Sequence, residues 1–240
     1  MRPAAGTARR PRPIAPAAPG RTRRRRWAAA ALAGLAAAAL GADRVAAGAA
    51  EDRLAHRLAA RQPAVTGTPQ VTLGGFPFLV DAARGSFPAV QIRADAVAAS
   101  GLPVEAAVDL RDVTERSGRY TAAEADARFT VPFDALASAV GQETSVAADH
   151  GRLRLTRTVL GLPLDVTAEV RLADGTVGIR PVSATLAGRR LDPADSRFAA
   201  VFRDRDRPLP DLPAGLAADA VTVDGNGLTV HARAGRVTLT

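Results

Sequence analysis

The sequence predicts an α+β protein in which one long antiparallel sheet has its apolar face covered by a few helices. Two observations predict this class. Apolar residues follow helical spacing over residues 43–61, and the pattern then changes to alternation of apolar and polar residues. The alternating stretches are separated by Asp-Gly and other Gly-rich turns, which are typical of hairpins. Strict alternation leaves each strand with one apolar and one polar face, which favours antiparallel pairing.

Residues 1–26 differ in composition from the rest of the chain. They hold nine of the 32 basic residues, all of them arginine, and no acidic residue. Because they are also rich in proline, we expect a disordered basic tail on the cytoplasmic side. From residue 27 onward, 23 basic residues stand against 24 acidic ones. The body of the protein therefore lacks the positive surface that nucleic acids require, and we expect no nucleic-acid partner.

Residues 27–42 form a run of 16 residues without a charge. A membrane-spanning helix needs about 20 apolar residues and a signal-peptide core about 7–15, so we interpret the run as a signal peptide or a membrane anchor. Small residues at 45–47 and 47–49 offer sites for a signal peptidase. Under both interpretations residues 43–240 form an exported domain, in the periplasm or cell envelope. A soluble Ala-rich core helix is the remaining alternative.

Besides a short helix in residues 74–87, described below, three helices are predicted in the exported domain. The first covers residues 43–61 and is stopped by Pro63. A second helix is expected at residues 132–140, with Pro132 in its first turn and Gly141 after its end. The third is expected at residues 195–202, where two phenylalanines share one helical face.

The clearest predicted strand covers residues 164–172, in which Val, Leu and Ala alternate with charged residues and Thr. Asp174-Gly175 then supplies a hairpin turn to a return strand. Shorter stretches of alternation lie near residues 90–92, 108–110, 153–155, 221–223 and 228–230, with turns at residues 224–227 and at Gly235. A core of Val, Leu and Ala on a curved sheet can leave an apolar groove unfilled.

Signatures of catalysis are missing from the sequence. Its three histidines, at positions 56, 150 and 231, have no second ligand at metal-binding spacing, and the chain contains no cysteine. We find no G-x-S-x-G elbow, P-loop or dinucleotide-binding motif. We therefore expect no catalytic residue, no metal site and no cofactor, and an enzyme is the weaker hypothesis.

Residues 74–87, GGFPFLVDAARGSF, contain three of the seven phenylalanines of the chain. Pro77 suits the first position of a short helix, and Gly85 suits the residue after its end. In that helix Phe76, Leu79 and Val80 project to one side, with Phe78 beside them. These apolar side chains could close the core, or they could line the entrance of a groove. The residues themselves leave both alternatives open.

Two segments resemble the LmeA-like phospholipid-binding family of actinobacterial envelope proteins. The first is GGFPFLVDAARGSFPAVQIRADAV, with its G-F-P-F-L motif and the glycine that follows it. The second is the closing segment at residues 208–239, which is similar to the C-terminal hairpin of that family and has an L-P-x-G-L lead-in. The likeness covers roughly residues 45–240.

The resemblance implies a long curved antiparallel sheet wrapped around one or a few helices, as in tubular lipid-binding domains. It implies an exported protein that binds phospholipid, or a related amphiphilic lipid, in an apolar groove for lipid transfer or presentation. The expected partners are an envelope lipid and a membrane surface. The expected lipid-binding residues are Phe76, Pro77, Phe78 and Leu79, to which the neighbouring Phe87 is added. The alternative is an envelope scaffolding protein whose apolar surface docks another protein.

Overall fold

The structure is a computed structural model that describes residues 21–141, 143–192 and 207–239. The chain divides into two compact units, of which the first ends at Ala42 and the second begins at Asp43. Residues 21–26, for which we expected disorder, are helical, whereas the rest of the basic tail lies outside the described residues. The helix predicted at residues 195–202 also lies outside them.

The helices of the described chain are α1 (Arg21–Arg61), α2 (Phe78–Arg84) and α3 (Phe133–Val140), and Pro213–Gly215 forms a short 3₁₀ turn. The strands are β1 (Val65–Gly74), β2 (Ser86–Val97), β3 (Pro103–Arg116), β4 (Arg119–Ala122), β5 (Glu124–Pro132), β6 (Thr144–Asp149), β7 (Arg152–Val159), β8 (Leu162–Ala173), β9 (Thr176–Leu186), β10 (Arg189–Leu191), β11 (Arg207–Pro208), β12 (Ala217–Val223), β13 (Gly227–Ala234) and β14 (Val237–Leu239). None of the helices in the described ranges combines the length and apolar character that crossing a membrane requires.

The strands form two antiparallel sheets, which confirms the α+β class with curved antiparallel sheets. The first sheet has the order β1-β2-β3-β5-β13-β12, and β4 pairs with both β3 and β14. The second has the order β10-β9-β8-β7-β6, with β11 added to β9. We predicted one sheet. The structure has two because α3 interrupts the meander after β5, and the β12–β13 hairpin then pairs with β5.

The predicted strand at residues 164–172 is confirmed as the main part of β8. Val166 and Ala168 are buried, at 4% and 0% exposure, while Asp165 and Arg171 are exposed. The turn at Asp174-Gly175 joins β8 to β9 as predicted. These local features follow from alternation and turn chemistry, which act over a few residues.

The face of the first sheet packs against the part of α1 that follows residue 43. Ala47 and Ala55 of α1 are buried in one cluster with residues of the sheet, and their small side chains let the helix approach it closely. The sheet contributes the buried residues Val71, Leu73, Val90, Leu110, Val113, Ala122, Ala125 and Val237. A second, smaller cluster lies where β12 packs against β8, and it is built from Leu153, Val223 and Leu228 beneath Phe133 and Leu136 of α3.

Strict alternation breaks down at one level of the first sheet. Leu110 and Val113 on β3 are both 3% exposed, although residues three positions apart normally face opposite sides of a strand. Asp112 lies between them with a φ of +47°, which reverses the direction of the following side chains. The neighbouring β2 changes face at the same level, because Phe87 and Val90, which pair with Val113 and Leu110 of β3, both contact the core. This irregularity brings Phe87 inside.

Candidate functional site

The Phe-Pro-Phe segment connects the end of β1 to the start of β2. Gly75 follows β1, the Phe76–Pro77 peptide bond is cis, and α2 begins at Phe78. Pro77 has an extended backbone and is the N-cap residue, one position earlier than predicted. Gly85 ends the helix in the left-handed conformation, with a φ of +62°, and its N–H donates to the carbonyl oxygen of Ala82 at 3.1 Å. The predicted short helix and its glycine stop are therefore confirmed.

Gly75 has two reasons to be glycine. Its φ of +119° is rarely adopted by residues with a side chain, and a Cβ at this position would collide with the Asp81 carboxylate and contact Pro88. The other end of the segment is tied to β3, because the N–H of Glu115 donates to the carbonyl oxygen of Gly85 at 2.7 Å. The backbone on both sides of α2 is therefore held close to the first sheet.

Two acidic residues of α1 hold this segment from the helix side. The Asp43 carboxylate accepts the N–H groups of Phe78 at 3.0 Å and Leu79 at 2.8 Å. Asp43 is only 3% exposed, and it provides the cap that Pro77 cannot give to α2. Eight residues further along α1, Glu51 Oε1 accepts the N–H of Leu73 at 2.8 Å. Both sides of the motif are thus fixed to one helix.

Sequence analysis missed the roles of Asp43 and Glu51. A signal was present, because Asp43, Ala47 and Glu51 are spaced four residues apart and so follow one row along the helix. An acidic residue on a row that is otherwise apolar indicates a buried donor on a neighbouring element. The identity of that donor could not be read from the sequence.

The structure separates the predicted site residues into two groups. Phe78 is 9% exposed and stacks on Phe87, with ring centroids 6.1 Å apart and ring planes at 28°. Phe76 and Leu79 remain 57% and 49% exposed. Two phenylalanines therefore close the core, as the first alternative predicted, while Phe76 and Leu79 face outward. That they line the entrance of a groove stays a prediction.

The outward side of the motif is an apolar patch formed by Phe76, Leu79 and Val80. Val80 is 39% exposed, so all three large apolar side chains keep a substantial part of their surface accessible. The three residues belong to one short segment whose backbone is hydrogen-bonded at Asp43 and Gly85. The exposed apolar patch therefore lies on a backbone that hydrogen bonds hold in place.

A positive charge lies beside the apolar patch. The guanidinium carbon of Arg44 lies 5.8 Å from the centroid of the Phe76 ring, in a cation–π arrangement. Arg44 is exposed, and within the described part of the chain no carboxylate pairs with it. An apolar surface next to a free guanidinium matches the two chemical parts of an amphiphile with an anionic head group.

A trough with a volume of about 560 Å³ lies elsewhere, on the polar face of the first sheet. Its charged side chains are paired across strands, for example Arg128 with Asp109 at 3.0 Å and Arg233 with Asp126 at 3.1 Å. Its lining is Ala89, Gln91, Asp109, Leu110, Arg111, Asp126, Ala127, Arg128, His231, Ala232 and Arg233. This trough is not the predicted apolar groove, and it contains none of the predicted site residues. In the described ranges, no group of three His, Asp or Glu side chains is arranged as metal ligands.

The model of the LmeA-like phospholipid-binding family matches residues 41–233. This match includes the apolar patch, both acidic residues of α1 and nearly all of the two sheets. No curated protein and no solved structure matches the chain. With four-fifths of its length matched by one family model, the chain belongs to the LmeA-like phospholipid-binding family.

Proposed function

We propose that this chain is an exported cell-envelope protein that binds a phospholipid or a related amphiphilic lipid for transfer or presentation. The acyl chain contacts the apolar patch of Phe76, Leu79 and Val80, and Arg44 pairs with the phosphate. Membership of a phospholipid-binding family supports the ligand class, and it favours binding without turnover. The observation that carries the site is the exposure of three large apolar residues on a backbone fixed by Asp43.

The energetics of acyl-chain binding need no catalytic or metal group. Removing methylene groups from water stabilises by about 0.8 kcal/mol each, so covering half of a chain of about 14 carbons contributes roughly 5–6 kcal/mol before the costs of association. A hydrogen-bonded pair between a guanidinium and a phosphate adds to this and orients the head group. An apolar surface with a single cation at its edge therefore suffices for a usable affinity.

The contacts of Asp43 also support a position for the start of the mature domain. Cleavage after residue 47 or 49 would remove the carboxylate that caps α2 and would remove Ala47 from the core. We therefore propose that any signal-peptide processing takes place upstream of Asp43. Intact-mass measurement of the protein recovered from the cell envelope tests this, and an N-terminus at residue 48 or 50 would contradict it.

Lipid binding is tested by native mass spectrometry of the gently purified protein, followed by uptake of added phospholipid. We expect co-purified lipid in the wild type and strongly reduced uptake after Phe76→Ser or Val80→Ser. Val97→Ser is a matched control, because Val97 is 40% exposed and Val80 39%. Equal uptake by the Val80 and Val97 variants would contradict the assignment of the patch.

The same experiment separates lipid binding from a scaffolding role. If the apolar patch docks another envelope protein, one protein should co-purify in stoichiometric amount, and the purified chain should not take up phospholipid. Recovery of lipid-free protein that also rejects added phospholipid would overturn the proposed function.

A further inference from the structure

The four hairpin turns of the second sheet are built alike but differ in polarity. Each is a two-residue turn that ends in glycine, and its first residue has a φ between +48° and +52°. Antiparallel connection places alternate turns at opposite ends of the sheet. One end carries His150-Gly151 and Asp174-Gly175, and the other carries Leu160-Gly161 and Ala187-Gly188. The N–H of Ala187 donates to the carbonyl oxygen of Pro163 at 2.8 Å, so the latter two turns are neighbours.

Leu160 occupies a position for which leucine is a poor choice. Its φ is +52°, where Asn, Asp and Gly are preferred because a bulky side chain raises the conformational energy. No packing offsets this cost, because Leu160 is 98% exposed. Val159 and Leu162 on either side of the turn are 36% and 45% exposed. Folding alone therefore does not account for an apolar residue at this tip.

Cations surround this apolar end. Arg157 precedes the Leu160 turn, and Arg189 and Arg190 follow the Ala187 turn. All three are exposed, and none is paired with another residue in the described ranges.

Three acidic residues also lie near this end: Glu143, which precedes β6 and its Thr144–Arg157 pair, Asp165 on β8, and Asp192 directly after β10. The Oδ1 of Asp165 accepts a hydrogen bond from the Thr156 hydroxyl at 2.7 Å. In the described ranges none of the three forms an ion pair with these arginines.

The charges towards the opposite end are paired instead. Asp149 accepts hydrogen bonds from His150 and Arg154, and Glu169 accepts them from Arg152 and Arg171. Its turns carry His150 and Asp174, which are polar. The second sheet thus has one polar, charge-paired end and one apolar end with free guanidinium groups.

We propose that the apolar end of the second sheet, formed by Val159, Leu160 and Leu162 with Arg157, Arg189 and Arg190, inserts into the surface of an anionic phospholipid bilayer. The apolar side chains reach the boundary between head groups and acyl chains, and the arginines contact lipid phosphates. The contact holds the domain at the bilayer from which its lipid ligand comes, and in that respect the inference rests on the proposed function. It uses residues separate from the apolar patch of Phe76, Leu79 and Val80.

The chain has no cysteine, so single cysteines can be labelled without other changes. Leu160→Cys and Asp174→Cys in the full-length chain, each carrying an environment-sensitive nitrobenzoxadiazole dye, are mixed with vesicles of phosphatidylcholine and phosphatidylglycerol in equal amounts. We expect a several-fold rise and a blue shift of emission for the dye at position 160, and little change at position 174. The basic residues 1–26 can attract the whole chain to such vesicles, but attraction alone leaves both dyes in water.

A second comparison removes the apolar tip without harming the turn. Leu160→Asn introduces a preferred residue at this φ, so thermal stability should be retained or increased while the amount of protein sedimenting with the vesicles decreases. Asp174→Asn, at the polar end, should leave sedimentation unchanged. Equal dye responses at the two positions, or sedimentation unaffected by Leu160→Asn, would overturn the proposal.

Uptake of a short-chain phospholipid below its micelle-forming concentration separates this inference from the proposed function. Leu160→Asn should retain such uptake, because no bilayer is involved. If the wild type takes up no short-chain phospholipid but the dye at position 160 responds to vesicles, the lipid-binding function alone is refuted. Uptake without any dye response would refute bilayer insertion alone.

Discussion

Replacing Asp43 with alanine should lower the free energy of unfolding of the domain that begins at this residue by more than most substitutions of a single carboxylate do. Asp43 is 3% exposed, and its two oxygens accept separate backbone N–H groups at the start of α2. The substitution leaves α2 without a cap, because Pro77 provides no side-chain acceptor. It also releases the Phe-Pro-Phe segment from α1, although the Gly85 contact to β3 remains.

The size of the effect follows from the surroundings of the two N–H groups. The hydrogen bond to Phe78 is buried, and a buried donor left without a partner costs about 1–3 kcal/mol. The N–H of Leu79 is partly accessible to water, so its loss resembles an ordinary cap deletion of about 1 kcal/mol. We therefore expect a loss of about 2–4 kcal/mol in the free energy of unfolding. Asp43→Asn keeps one acceptor oxygen and should lose about half of that.

Urea unfolding followed by circular dichroism measures this difference, provided that the dependence on urea is similar for all variants. Asp52→Ala is the matched control, because Asp52 lies on the same helix, is exposed and makes no side-chain hydrogen bond with the described residues. It should change stability by less than about 0.5 kcal/mol. If Asp43→Ala were no more destabilising than Asp52→Ala, the Asp43 carboxylate would not be holding α2, and the argument for processing upstream of residue 43 would fail.

Three further predictions concern other parts of the domain. Hydrogen bonds from Arg171 and then Arg152 lower the pKa of Glu169 below its usual 4.5, so its stabilising contribution is present above that value and is lost as the pH falls through the lowered pKa. Glu169→Gln should accordingly flatten the decline of the unfolding temperature in this acidic range. Gly75→Ala should cost about 1–3 kcal/mol in urea unfolding because of its φ of +119°, and an unchanged midpoint would contradict the assigned backbone. Arg44→Gln should weaken uptake of anionic phospholipid more at low than at high salt, and a salt-independent effect would argue against phosphate pairing.

The sequence predicted those features that short-range physics determines. The α+β class follows from the change from helical to alternating spacing, and β8, the Asp174-Gly175 turn and α2 with its Gly85 stop follow from local periodicity and backbone preference. The motif around Phe76 also carried the family resemblance, which the match over residues 41–233 confirmed. The binding role of the motif residues stays a prediction.

Only the tertiary structure decided which partners the strands take and which side chains are buried. Alternation of apolar and polar residues gives a strand two faces but does not specify which strand pairs with it. The division into two sheets therefore could not be predicted from the alternation. The φ of +47° at Asp112 reverses the direction of the side chains that follow it in β3. No local sequence pattern predicts that Phe87 turns inward while Phe76 stays exposed. Asp43 reaches Phe78 across 35 residues. Such contacts depend on the folding of distant segments onto one another, because burial and hydrogen-bond partners belong to the packed chain and not to any short stretch of it.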